Sequence, residues 1–153
     1  MNLDLLGHHP ELLQTLADWY LDEWGYLLRD SPDSNFERLL QPYLNTRQIP
    51  LIVIAHQKDE LIGAAQLKNR EMSIFPKRKH WLGGVYVSPS HRGKGIAADI
   101  IAEVVSIARR QDVQTLHLQS KILDGGLYKR LGWQAVDRVH YQGEDVVVME
   151  RGL

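Results

Sequence analysis

The residues best suited to chemistry lie in one stretch, Trp81 to Ala98, WLGGVYVSPSHRGKGIAA. An apolar run, Leu82 to Val87, meets a proline-bearing turn, Ser88-Pro89-Ser90-His91, and then Arg92-Gly93-Lys94-Gly95, which opens a long amphipathic segment at Ile96-Ala97. A strand, a loop and a helix start in such close succession leave several backbone N–H groups without intrahelical partners, with the positive end of the helix dipole behind them. Glycines let a ligand approach those groups closely. The chemistry this favours is the holding of a phosphate-like anion. Gly93 to Ala98 fits G-x-G-x-x-A, a dinucleotide pattern, but the next apolar run, Leu116 to Gln119, ends in Ser120 rather than in the acidic residue a ribose would require. A glycine-capped helix start that binds nothing is the plain alternative.

The same letters fit R/Q-x-x-G-x-G/A, with Arg92, Gly95 and Ala97 at the marked positions, behind a strand that ends in proline. In this form the segment resembles the acyl-CoA-binding motif of the GNAT superfamily of N-acyltransferases. A second segment, LYKRLGWQAV from Leu127 to Val136, resembles that family's L/F-Y-x-x-L-G-F near the C-terminal end. The two together span Leu82 to Val136. The resemblance implies that the N–H groups of Arg92, Gly93, Lys94, Gly95, Ile96 and Ala97 hold the diphosphate of acetyl-CoA, the cosubstrate, with the Arg92 and Lys94 charges adding to them. It implies that the backbone of Val85, Tyr86 and Val87 contacts the pantetheine arm, as does Ser120, where relatives often carry Asn. It makes Tyr128 the general acid towards the CoA sulfur. A phenol suits that role, being protonated at neutral pH yet able to share its proton with a thiolate; a core tyrosine with its hydroxyl at the edge is the bland alternative.

Acyl transfer to an amine also needs a base and stabilisation of the tetrahedral oxyanion. Many relatives carry a glutamate on the central strand, where this chain has Gly83 and Gly84. Glu71, His80, His117 or a water chain are the candidates, and spacing favours none of them. Glycine inside a strand marks a bulge or a close backbone approach, which agrees with the bulged, splayed central strand of the family. No metal-ligand spacing, G-x-S-x-G elbow or G-x-x-x-x-G-K-[ST] loop is present, so no metal is expected.

The elements that must position these groups follow from pattern. Asn2 to Leu6 reads as a first strand. Pro10 stands near the start of a helix to about Trp24, with Leu12, Leu13, Leu16, Trp19 and Tyr20 at helical spacing. A break from Gly25 to Pro32 leads to a second helix carrying Phe36, Leu39, Leu40 and Tyr43, with Ser34 as its expected N-cap. Trp19 and Trp24 read as a packed face in preference to an amine pocket. Leu51 to Ile54 and Leu61 to Leu67 form a hairpin, Asn69 to His80 a basic loop and Leu82 to Val87 a strand. Gly95 to about Arg110 is a helix with a broad apolar face, and Val113 to Gln119 a parallel-type strand. Asp124 caps a short helix, and Trp133 to Val139 pairs with Asp145 to Met149 around Gln142-Gly143-Glu144. The expected fold is α/β (α+β) and GNAT-like, a mixed, mostly antiparallel sheet of about six to seven strands with helices on both faces, in a single domain over 1–153.

Bulk properties limit the function classes. The chain has 153 residues, a formal net charge of -1 and no cysteine, which excludes a disulfide scaffold, a thiolate nucleophile and cysteine-ligated zinc. A global pull towards nucleic acid is not expected, nor a membrane span, and a cytoplasmic protein is. Acids dominate Met1 to Leu40, opposed only by Arg29 and Arg38, whereas bases dominate Lys68 to Lys94, opposed only by Glu71. This tilts the acceptor towards a small cationic amine, acetylated directly in a ternary complex. A non-catalytic acyl-CoA sensor on the same fold is the alternative, a nucleotide-linked oxidoreductase a more remote one, and a homodimer is left open.

Overall fold

The computed structural model describes residues 1–29, 31 and 35–153. Its frame is a seven-stranded sheet in the order β1-β2-β3-β4-β5-β7-β6, with β1 Asn2–Leu5, β2 Leu51–Gln57, β3 Glu60–Asn69, β4 His80–Val87, β5 Thr115–Ser120, β6 Gln134–Tyr141 and β7 Glu144–Gly152. Every neighbouring pair is antiparallel except β4 and β5. The two expected hairpins form, and Gln142 and Gly143 both take positive φ in the β6–β7 turn, as a two-residue hairpin loop with matching twist requires. The strand expected from Leu82 begins at His80, because ladder pairing with β3 reaches back to Asn69.

Helix α3, Ile96–Arg110, packs Ile100, Ile101, Val104 and Val105 onto one face of the sheet, against Val53, Ala65 and Leu82. Helix α1, Leu13–Trp24, preceded by a 3-10 turn at Pro10–Leu12, covers the other face together with α2, Phe36–Leu40. The expected cap Ser34 lies outside the described residues; Asn35 is the N-cap, its side chain accepting the Arg38 N–H at 3.1 Å. The short α4, Gly126–Arg130, is one turn shorter than its sequence suggests, since Gly132 turns left-handed at φ 93°. Asp124 stands one residue before its N-cap, Gly125, and accepts the Gly126 N–H at 3.0 Å. Among the described residues no helix is long and apolar enough to cross a membrane.

Two irregularities at the centre of the sheet create the site. On β4 the register slips between the pairs Ala64↔Tyr86 and Gln66↔Gly83, so Gly84 and Val85 together face Ala65 in a β-bulge. Then β4 and its parallel neighbour β5 pair only at Trp81↔His117 and diverge beyond it. The sheet is therefore split from Gly83 onward, open to both faces.

Candidate active site

Gly84 carries the bulge at φ +54°, and a Cβ there would lie 2.7 Å from both Gln66 Nε2 and the Tyr20 hydroxyl. No other residue fits the position without displacing its neighbours. Tyr20, buried on α1, donates its hydroxyl hydrogen to the Gly84 carbonyl at 2.6 Å, and burial raises its phenol well above the ordinary range. One helix thus fixes the kink in β4. Tyr20→Phe is expected to leave that carbonyl unsatisfied and lower the unfolding free energy by about 1–3 kcal/mol, read from urea denaturation; an unchanged midpoint would mean that the bulge holds itself.

The split and the bulge open a cavity of about 450 Å³. Gly83, Gly84 and Val85 form one wall, Leu118 to Ile122 another, and Tyr20, Trp24, Tyr26 and Phe36 the aromatic side. Tyr128 reaches it from the α3 face, where its ring packs edge-on to Trp133 at 6.4 Å. Among the described residues the Tyr128 hydroxyl makes no hydrogen bond within the chain. Burial, with the Glu71 carboxylate adding to it, pushes the phenol up to about 12.

Glu71 enters from the opposite face. Arg70, at φ 49°, bends the chain as β3 ends, and its N–H donates to the Lys79 carbonyl at 2.7 Å, turning Glu71 back beneath β4. There Lys68 Nζ donates to Glu71 Oε1 at 3.3 Å, and Glu71 Oε1 would lie 3.1 Å from a Cβ on Gly83. The absence of a side chain at Gly83 makes room for the carboxylate beside the central strand. Although burial alone would lower the Lys68 ammonium, Glu71 and Tyr43 raise it, so the cation that anchors Glu71 keeps its proton.

The other base candidates lie elsewhere. His117 is buried against Trp81 and within 3.2 Å of Glu150, with its titration lowered by burial and by Arg78. His80, lowered by burial and Lys79, is at the start of β4. Neither lines the cavity.

Of the residues expected at the cosubstrate, Val85, Ser120 and Tyr128 line the cavity, while Tyr86, Val87 and the glycine-rich turn lie beyond its wall. Ser120 Oγ accepts the Ile122 N–H at 3.1 Å. Gly93 and Gly95 both take φ +78°, and nothing lies within 4 Å of a Cβ placed on either. The N–H groups from Gly93 to Ala98 find no acceptor among the described residues, the first being Asp99, whose N–H donates to the Gly95 carbonyl at 3.2 Å. An exposed row of unpaired donors at the start of a helix fits a diphosphate. The Arg92 side chain is committed inward instead: its Nε donates to the Val87 carbonyl at 2.8 Å, and its guanidinium lies 5.2 Å from the Tyr86 ring centroid. Arg92 therefore clamps the turn onto the end of β4, and both it and Lys94 remain exposed.

The charge tilt is only partly realised. Among the described acids before residue 40, Glu23 alone lines the cavity, because Asp18 and Asp22 are exposed on the outer face of α1. The remaining acid in the wall comes from Glu71 and Glu144. Trp24 both lines the cavity and packs on Tyr20 and Tyr86, whereas Trp19 only packs on Tyr86. At the wall the Tyr26 hydroxyl donates to Glu144 Oε1 at 2.9 Å and accepts from Lys121 Nζ at 2.8 Å, tying the end of α1 to the β5 and β7 side.

The family model for the acetyltransferase (GNAT) family matches residues 13–133. Among curated proteins none matches in sequence. Among solved structures the chain is similar to an aminoglycoside 6'-acetyltransferase type Ii (19% identity, TM-score 0.77, covering 99% of this chain and 97% of that one). It is also similar to an aminoglycoside 6'-N-acetyltransferase complexed with coenzyme A (17%, TM-score 0.78, 99% and 97%), and to a ribosomal-protein-alanine N-acetyltransferase from Brucella melitensis (19%, TM-score 0.71, 100% of both). At these identities the structures speak to the fold, and they share the mixed sheet described above. With the family match running from α1 through α4, the chain belongs to the GNAT family of acetyltransferases.

Proposed function

We propose that the enzyme acetylates a primary amine of a small cationic molecule by direct transfer, with Glu71 accepting the amine proton and Tyr128 protonating the departing sulfur. The observation that carries this reading is the split between β4 and β5, which lets a carboxylate from one face of the sheet and a phenol from the other address a single cavity. Acetyl-CoA, when bound, supplies the acetyl group already activated as a thioester.

The chain's own residues supply the remaining needs. The unpaired N–H groups of Gly93 to Ala98 suit the diphosphate, and the edge of β4 at Val85 and Tyr86, which has no ladder partner where β5 diverges, suits the arm. A β4 N–H facing the gap would also stabilise the negative charge that develops on the thioester oxygen. Glu71, held by Lys68, takes a proton from nitrogen as the C–N bond forms; Tyr128 gives one to sulfur as the C–S bond breaks.

The acceptor class is read from the wall. Glu23, Glu71 and Glu144 outnumber Lys68 and Lys121, which pair with Glu71 and Glu144 in the same wall, so negative charge is in slight excess, and Trp24, Tyr26 and Phe36 offer ring faces to a cation. Two of the similar structures are by name acetyltransferases of aminoglycosides, which are polyamines. A panel of cationic, neutral and acidic amines, read by release of free CoA thiol, tests the assignment. Cationic amines are expected to lead in kcat/KM by at least about tenfold, equivalent to one well-placed charge interaction of about 1.4 kcal/mol. A preference for neutral or acidic acceptors would overturn the acceptor class, and saturable acetyl-CoA binding with no thiol release across the panel would favour a sensor.

A further inference from the structure

At the β1 edge of the sheet, three strands from β4, Asp4, His9 and His56 each offer a ligand atom, and these atoms lie within 4.8 Å of one another. Asp4 pairs with Ile54, and His56 stands two residues further along β2, so both side chains leave the same face. His9, between the two 3-10 turns that lead to α1, brings its ring within 4.3 Å of the His56 ring and Nε2 within 2.9 Å of Asp4 Oδ2. We infer that this cluster is a binding site for a divalent transition metal of the zinc class, with Asp4, His9 and His56 as ligands and a fourth position open to water.

The groups behind the three ligands are what a metal requires. His56 is buried, and its Nδ1 lies 3.0 Å from the Lys58 carbonyl. A carbonyl can only accept, so Nδ1 carries the hydrogen and Nε2 keeps the lone pair. His9 turns Nε2 to Asp4 and Nδ1 to the Glu11 carboxylate, 3.6 Å away. With Nε2 on a metal, the ring hydrogen would sit on Nδ1, facing Glu11. Metal-bound imidazoles are commonly oriented in this way by a carbonyl or a carboxylate on the other nitrogen. Asp4 Oδ1 already accepts from the Leu5 N–H at 2.8 Å and lies 2.7 Å from His8 Nδ1, which fixes the carboxylate and leaves Oδ2 directed at the cluster. Two imidazoles and one carboxylate suit zinc and disfavour calcium or magnesium, which prefer oxygen donors throughout. The metal would staple β1 and the turn after it to the end of β2.

The test uses the intact chain after treatment with a chelator. Zinc titrated calorimetrically at neutral pH is expected to saturate at one ion per chain and to raise Tm, and cobalt(II) in its place should give the visible absorption of a low-symmetry nitrogen and oxygen site. His9→Ala should abolish saturable binding, and Glu11→Gln should weaken it roughly 10–100-fold, as loss of an orienting partner does elsewhere. His140→Ala, which removes an exposed histidine paired with Asp145 on the distant hairpin, should change nothing. Acetyl transfer should persist in all three. Unchanged zinc binding in His9→Ala, equal loss in His140→Ala, or no saturable binding by the parent protein would each overturn the site and reduce the cluster to an Asp–His hydrogen-bond network. His9 is part-exposed, so its replacement tests the site even if the buried His56 cannot be replaced without unfolding.

Discussion

Tyr128→Phe is expected to lower kcat by about 10²–10⁴-fold, the range that a positioned general acid contributes, with little change in the KM for acetyl-CoA. The variant removes one oxygen that has no hydrogen-bond partner among the described residues and retains the ring that packs against Trp133, so folding should be nearly undisturbed. An interaction needed only as the C–S bond breaks depresses kcat and kcat/KM together, whereas lost cosubstrate binding would raise KM. Because burial and Glu71 push the phenol up to about 12, its acid form is the species present throughout the neutral range. Tyr128 should therefore impose no descending limb on the pH–rate profile until the approach to that value. A further arm isolates the chemistry: an acetyl thioester of a more acidic thiol departs without help and should recover much of the lost rate in the variant. A kcat within a few-fold of the parent protein, or no recovery with the better leaving group, would reduce Tyr128 to a packing residue.

The parts of the site that were legible in sequence are those made by local backbone. Gly93 and Gly95 announced a close approach to the helix start, and the structure leaves open space around both, at φ +78°. Gly83-Gly84 announced a bulge, which appears as the slipped register opposite Ala65. Periodicity located α3 to within a residue, because its apolar stripe is continuous. What sequence left open were groups brought together by register between distant segments. Glu71 was one of several base candidates, and no spacing rule links a loop residue to Gly83; the link arises from the β3–β4 ladder and from the left-handed turn at Arg70. His56 beside Asp4 and His9 likewise depends on the β1–β2 register. The early acids reach the cavity only through Glu23 for a related reason: a count along the chain ignores the face on which each stands, and most of the described ones are exposed away from it. Arg92 shows the same limit, since its motif position was legible but its inward hydrogen bond to the end of β4 was not.

Glu71→Gln is the second large effect expected, a fall in kcat of about 10²–10⁴-fold at neutral pH. The amide keeps the size and shape of the carboxylate but accepts no proton, and Lys68 loses the anion 3.3 Å from it. If Glu71 removes the amine proton, the variant must rely on the fraction of acceptor already neutral in solution. Its rate should then climb towards the acceptor's own pKa more steeply than that of the parent protein, narrowing the gap between them. Lys68→Met separates proton transfer from positioning: it leaves the carboxylate in place but releases it, and the expected loss is smaller than that of Glu71→Gln. Gly83→Ala tests the geometry independently, because its Cβ would sit 3.1 Å from Glu71 Oε1 and 3.0 Å from Lys68 Cδ, forcing the carboxylate away from β4. This variant should lower kcat in the direction of Glu71→Gln while its acetyl-CoA affinity is retained. If Glu71→Gln keeps full activity with an unaltered pH profile, the amine loses its proton to solvent and the glutamate serves only to neutralise Lys68.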